Sequence, residues 1–191
     1  MSKRVIVIGA GGHGRSVAEA IVLLGRDKLV GFVDDGADAN VKVWTYHVVG
    51  TTDSVNNWSG LVDAVVVAIG NNAVRETLHY HVLGAGLALL SVVHPAAFVS
   101  PTAALGAGCV VMAGAVVGTE ALLGEGVIVN CGATVDHHCI VDDFGHLGVN
   151  ACMAGGSVLG RGAWMQAGSA LGYGAMLENR ATLSPGQALV A

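Results

Sequence analysis

The stretch Val129-Asn-Cys-Gly-Ala-Thr-Val135-Asp-His-His-Cys-Ile-Val141-Asp-Asp-Phe-Gly-His-Leu147 decides the fold. A large aliphatic residue recurs at every sixth place. Four residues after each comes a small one: Ala133, Cys139, Gly145, Ala151. Extended outward, the large register runs Val99, Leu105, Val111, Val117, Leu123, Val129, Val135, Val141, Leu147, Met153, Leu159, Met165, Leu171, Leu177, Leu183 and Leu189 without a slip. The small register runs from Ala103 to Ala181 and is broken only at Gln187. A hexapeptide array of this kind specifies a parallel β-helix. Each hexad is a short strand plus a turn. The large residue points inward and the small one fits where the chain rounds a tight corner. Three hexads close a triangular coil of 18 residues, so a residue stacks on the one 18 places later. About five coils at the inter-strand spacing of ~4.8 Å make a prism roughly 24 Å tall. Each coil buries its apolar residues against its neighbours, so stability is shared along the array. A disordered Gly/Ala tract does not keep an aliphatic residue at every sixth place.

The composition sets the other bounds. With 191 residues, 53% of them hydrophobic and 12% charged, the chain can build two small cores. Mean hydropathy is high, +0.63, yet no run of about 18 apolar residues goes unbroken, so no membrane helix is expected. The N-terminus enters a strand directly, and no secretion signal is visible. Cys109, Cys131, Cys139 and Cys152 all lie in the repeat and read as reduced packing residues of a cytoplasmic protein rather than as a metal site. A net charge of −5, with only Arg161 and Arg180 basic after Val99, argues against a nucleic-acid partner.

Before the repeat, residues 1–93 read as a separate domain, with 94–191 forming the prism. Arg4-Val-Ile-Val-Ile-Gly9 is a buried strand that runs into Ala10-Gly-Gly-His-Gly14 and an apolar-periodic helix from Val17 to Leu24. Strands follow at Leu29–Val33, near His47–Gly50, at Val62–Ile69 and at Leu87–Val93, with a helix from Ala73 to Leu83. Alternating β and α elements imply a small parallel sheet of Rossmann type. Gly9-x-Gly11-x-x-Gly14 after a strand, with Asp34 and Asp35 about 20 residues on, fits a phosphate-bearing nucleotide. Bare amides at a helix N-terminus hold a phosphate, and glycine lets it approach. A domain this short has room for one mononucleotide half. A purely structural glycine turn is the bland alternative.

Most turn positions of the repeat are Gly, Ala or small polar residues. The exception is Asp136-His137-His138. Val135 is inward and Cys139 takes the small place, so both histidines fall on a turn and do nothing obvious for folding. One coil above His137 stands Gly155. An imidazole facing bare backbone is the geometry of a base beside an amide that can polarise a carbonyl. His137 and His138 are therefore the catalytic candidates, against the plain reading of solvated turn histidines.

Taken together, Gly9-Ala-Gly-Gly-His-Gly14, Gly31-Phe-Val-Asp-Asp35, Ala68-Ile-Gly-Asn-Asn72 with Arg75, His94-Pro95, and Asn130-Cys-Gly-Ala-Thr-Val-Asp-His137 followed by Ala154-Gly155 span nearly the whole chain. On these marks the chain resembles the bacterial sugar O- and N-acetyltransferases of sialic acid and amino-sugar synthesis, the NeuD/PglD-like family. The resemblance implies that the prism is a left-handed β-helix. It implies transfer from acetyl-CoA, with no metal, to a nucleotide-linked sugar, often a UDP-4-amino sugar. It places Gly11, Gly12 and His13 at the phosphates of that nucleotide, and Asp34, Asp35 and Gly70 along its base and ribose. His137 matches the family's general base, His146, Gly155 and Ala167 its acetyl-CoA contacts, and Asn130 a residue near the acceptor sugar. Such enzymes are homotrimers with sites between adjacent prisms.

The chain departs from the family in two places. The residue after the base is usually Glu or Asp, which supports the imidazole by charge; His138 cannot do so. Either Asp136 or another carboxylate substitutes, or the base is weaker. The sequence also stops at Ala191, where the family carries another strand and a basic tail, so few groups are expected for the CoA 3′-phosphate. Three other functions compete. A zinc hydratase of the γ-carbonic-anhydrase kind needs three converging histidines, and the spacing of His137, His138 and His146 does not suit it. An NAD-dependent oxidoreductase needs a catalytic residue that does not stand out. A sugar-nucleotide-binding scaffold without catalysis is kept alive by the missing acid after His137.

Overall fold

The computed structural model describes residues 2–38 and 41–191. The chain divides into two units, Met1–Val92 and Val93–Ala191. In the first, β1 (Arg4–Ile8) is buried from Val5 onward. It leads through the glycine turn into α1 (Gly12–Leu24) and then β2 (Lys28–Val33). A small antiparallel pair, β3 (Lys42–Val43) and β4 (Tyr46–His47), precedes a 3-10 turn at Thr52–Trp58. Then come β5 (Ala64–Val67) and α2 (Asn72–Gly84), whose cap Asn71 accepts a hydrogen bond from the Val74 amide at 3.1 Å. The sheet is parallel with order β2-β1-β5. Val, Ile and Trp side chains of the three strands and the 3-10 turn form its core. The Arg4 guanidinium hydrogen-bonds Asp63 at the entry to β5 and holds that carboxyl well below its ordinary range.

One expectation for this unit is corrected. The strand foreseen at Leu87–Val93 does not form as one piece. Leu89 makes a single bridge to Val65, and Val92–Val93 joins a sheet of the prism. The connection from β2 to β5 carries the hairpin and the 3-10 turn. Among the described residues, Val48, bridging Phe32, extends the sheet on that side.

The second unit is the parallel β-helix that the six-residue period predicts, of the left-handed kind. Its strands are two residues long and pair in parallel with strands 18 residues away, as Val116–Val117 does with Thr134–Val135. Three sheets form the faces. The first contains Ile128–Val129 and His146–Leu147, the second Thr134–Val135 and Cys152–Met153, and the third Leu122–Leu123 and Ile140–Val141. The large and small registers together make one continuous core. The period starts one hexad earlier than the sequence reading placed it, because Val93 and Ala97 also pack against that core. Polar atoms in the small register are satisfied locally: Ser169 Oγ donates to the Gln166 carbonyl at 2.7 Å. Cys109 and Cys139 fill small-register places, but Cys152 faces outward and is exposed, so it is not a packing residue.

At nearly every corner one residue takes φ near +60°, and glycine usually occupies that place. Glu120, His138, Phe144, Asn150 and Arg180 do so without being glycine. A side chain held there costs about 1 kcal/mol or more, which marks these residues for inspection.

Candidate active site

The corner Asp136–Cys139 joins the second face to the third. Its backbone is fixed by the neighbouring coils. The His138 amide donates to the Thr119 carbonyl one coil before, and the Gly156 amide donates to the His137 carbonyl from one coil after. The side chains are then free for other work, and both imidazoles are substantially exposed. The His137 ring lies against Gly155. A Cβ on Gly155 would sit 2.5 Å from Cε1 and 2.6 Å from Nε2 of that ring, so the base-against-backbone geometry drawn from the 18-residue stacking is present. His137 and His138 lie nearly perpendicular to one another, with Nδ1 to Nδ1 at 2.9 Å. Asp136 spends one carboxylate oxygen on the His137 amide at 2.7 Å. Its other oxygen lies 3.9 Å from His137 Nε2, beyond hydrogen-bond reach. Glu120, one coil before His138, lies 2.8 Å from His138 Nε2. Sequence reading passed over Glu120, although its offset of 18 from His138 is the same arithmetic that found Gly155.

The remaining prism candidates lie elsewhere in the chain. Asn130 and Ala167 are on the corner between the first and second faces, and Asn130 Oδ1 accepts from the Cys131 amide at 2.8 Å. His146 is buried on the first face and stacks on Trp164 at 5.6 Å between ring centroids. One prism thus groups His137, His138 and Gly155 at one corner and sets Asn130, His146 and Ala167 around the next. The three histidines do not converge in one chain. A hollow of about 680 Å³ on the third face is lined by Leu122, Ile140, Asp143 and Arg161 and by none of these candidates. Arg161 is ion-paired to Asp143 and lies over the Phe144 ring, so one of the two cations expected near a CoA phosphate is already engaged.

In the first unit the glycine turn is set by close packing. A Cβ on Gly14 would lie 1.9 Å from the Gly9 carbonyl oxygen, so α1 can rest on the end of β1 only with glycine there. Among the described residues nothing lies within 4 Å of the Cβ positions of Gly11, Gly12 or Gly70, and the α1 N-terminus has no side-chain cap. A helix N-terminus left without a side-chain cap suits an anion. A cavity of about 160 Å³ at the carboxyl ends of the strands is lined by Gly9, Asp34, Asp35, Thr52 and Ile69, among others. Both acids brace its walls. Asp34 accepts from the Ala10 amide at 2.7 Å and the Gly36 amide at 2.8 Å. Asp35 accepts from the Thr52 amide and hydroxyl, each at 2.7 Å. Arg75 is buried and donates to the Ile69 and Gly70 carbonyls, holding the turn after β5.

His13 is largely buried, and its Nε2 has no hydrogen-bond partner among the described residues. Burial first, then the Arg75 charge, pull its pKa down to about 4. It is neutral at pH 7 and brings no charge to a phosphate. The unfolded chain takes up this proton from pH 6.5 downward and the folded chain only near 4. Stability is therefore full above 6.5 and falls as pH drops toward 4, by roughly 3 kcal/mol at most at about 1.36 kcal/mol per pH unit. Urea midpoints at pH 7 and pH 5 should separate less in His13→Gln than in the wild type. Equal separation would show that His13 does not set this dependence.

Known proteins were compared with the chain. The PglD N-terminal domain family matches residues 4–82. The UDP-N-acetylbacillosamine N-acetyltransferase of Bacillus subtilis (strain 168) is 34% identical over 116 residues, covering 58% of this chain and 52% of that protein. The match thus spans about half the length of this curated relative. The acetyltransferase domain of PglB from Neisseria gonorrhoeae FA1090, solved with acetyl coenzyme A, superposes with a TM-score of 0.93 at 35% identity, covering 100% of this chain and 94% of that one. A variant of the GDP-perosamine N-acetyl transferase of Caulobacter crescentus, solved with CoA and GDP-perosamine, superposes with a TM-score of 0.85 at 30% identity, covering 100% and 95%. Among the described residues no helix is long and apolar enough to cross a membrane.

Proposed function

The chain belongs to the PglD/NeuD-like family of sugar acetyltransferases, and from that premise we propose that it moves the acetyl group of acetyl-CoA to the amine of a nucleotide-linked sugar, with His137 as general base. The carrying observation is the His137 imidazole seated on the bare backbone of Gly155. The amine nitrogen attacks the thioester carbonyl carbon, the C–N bond forms and the C–S bond breaks. His137 takes the amine proton, and the thiolate leaves to be protonated as free CoA. A general base placed this way contributes about 10²–10⁴ in rate.

An amine offered as free base is easier to activate than a hydroxyl, which favours N-acetylation, as do the names of the relatives. The first unit takes the nucleotide at its glycine turn and strand-end cavity, with Gly11 and Gly12 at the phosphates. Asp34 and Asp35 then serve first to shape that cavity. Because one prism holds the candidate residues around two different corners, the proposal includes a homotrimer in which Asn130, His146 and Ala167 of one protomer complete the His137 corner of the next. The setting proposed for this chemistry is the cytoplasm.

The test is a panel of nucleotide-linked 4-amino sugars and their hydroxyl counterparts, each given with acetyl-CoA while free thiol is followed. Thiol release with an amino sugar is expected, together with a melting temperature raised by that ligand and not by NAD. Binding without release would leave a non-catalytic scaffold, and a shift with NAD alone would favour an oxidoreductase.

A further inference from the structure

We propose that Glu120 is a positioning residue for the base, acting through His138, so that Glu120, His138 and His137 form a relay across two coils. The inference rests on the acetyl-transfer reading of His137 and extends it to two residues outside the base itself. The side chains follow one another in contact: Glu120 Oε2 is 2.8 Å from His138 Nε2, and His138 Nδ1 is 2.9 Å from His137 Nδ1.

Those two contacts leave little freedom for the protons. A bare Nε2 facing a carboxylate at hydrogen-bond distance is repelled, so His138 carries its proton on Nε2 and donates it to Glu120. In a neutral His138, Nδ1 is then bare. Two bare nitrogens at 2.9 Å repel and two protonated ones collide, so His137 Nδ1 carries the proton between them. Neutral His137 therefore presents a bare Nε2, the nitrogen that lies against Gly155 and that must accept the amine proton. When it does, the new positive charge sits at the head of a chain ending on the Glu120 carboxylate. This is the orienting role a third group plays for a histidine base, delivered here from Glu120, one coil before His138.

Two further observations agree. Glu120 and His138 both occupy the left-handed corner place, with φ of 57° and 58°, where the prism mostly uses glycine. The cost of two such residues in one stacked column is about 1 kcal/mol each, and nothing in the core requires them. One coil earlier, Thr102 Oγ1 accepts the Glu120 amide at 3.1 Å and fixes the backbone from which the carboxylate reaches. Asp136, the other acid at the corner, accepts its hydrogen bond from the His137 backbone amide and lies 3.9 Å from the His137 ring nitrogen.

Glu120 and His138 are both largely exposed, and an exposed pair of this kind adds little to stability. Glu120→Gln should therefore fold normally. Its kcat is expected to fall about tenfold with KM for both substrates unchanged. Adding His138→Glu in that background sets a carboxylate directly beside His137 Nδ1 and should restore most of the loss. Independently of turnover, ring-nitrogen NMR of the wild type should show His137 with its proton on Nδ1, and Glu120→Gln should show a mixture. Wild-type kcat in Glu120→Gln, no recovery in the double variant, or an Nε2 proton on wild-type His137 would each overturn the relay. Absence of thiol release with the ring proton on Nδ1 would instead overturn the acetyl-transfer reading alone.

Discussion

His137→Ala is expected to lose about a hundredfold or more in kcat while folding as the wild type does, the loss typical of a removed general base. The fold is spared because the corner is held by backbone. The His137 carbonyl accepts the Gly156 amide, and the preceding residue's carboxylate accepts the His137 amide. Alanine keeps both contacts. The imidazole itself is about half exposed and belongs to no core, so its removal leaves no cavity. KM for acetyl-CoA and for the sugar nucleotide should stay within a few fold, because a group that acts on the proton in flight contributes to the transition state more than to ground-state binding. Saturation kinetics with a matched thermal melt check this directly. A variant that turns over within a few fold of the wild type would remove His137 from the chemistry, and a variant that melts early would show that the corner depends on the ring.

How far the sequence spoke depends on what kind of contact each feature uses. The prism was legible because its register is a covalent period: whatever stands six residues on meets the same environment, and the inward residues from Val99 to Leu189 are the ones found packed together. The same ruler placed Gly155 over His137. It stopped at Val99 because His94-Pro95 reads as the domain boundary, although the preceding Val92–Val93 pair already serves as a strand of the first face. Side chains reaching between coils were not legible in the same way. Glu120 stands under His138 by arithmetic, but that its carboxylate meets Nε2 and not solvent depends on rotamers no period encodes. The acids after β2 show the reverse case. Their spacing from the glycine turn is that of ribose acceptors, yet folding employs them first, Asp34 on the turn itself and Asp35 on Thr52. The family resemblance puts His13 at the phosphates, and only three-dimensional burial makes it neutral.

The sharpest separation of chemistry from folding is expected at Gly155. Gly155→Ala should cost about a hundredfold in kcat, the scale on which a displacement of about 1 Å matters at a reacting centre, with a melting temperature no lower than the wild type's. The new methyl carbon would lie 2.5 Å from Cε1 and 2.6 Å from Nε2 of His137, and nothing in the backbone lies as near. What yields is therefore the far end of a mobile side chain, not the coil. Gly155 is not among the glycines held at positive φ, so alanine suffers no strain there. Restricting the unfolded chain even favours the variant by about 0.4–1 kcal/mol. The displaced ring loses its approach to the backbone and breaks the 2.9 Å contact with His138, so both the position and the proton placement of the base fail together. In Gly155→Ala the Nδ1 proton signal of His137 should become mixed as it does in Glu120→Gln, while the larger kcat loss records the added displacement. A Gly155→Ala enzyme with wild-type turnover would mean that the base works from a different ring position, and the geometry drawn from this corner would have to be given up.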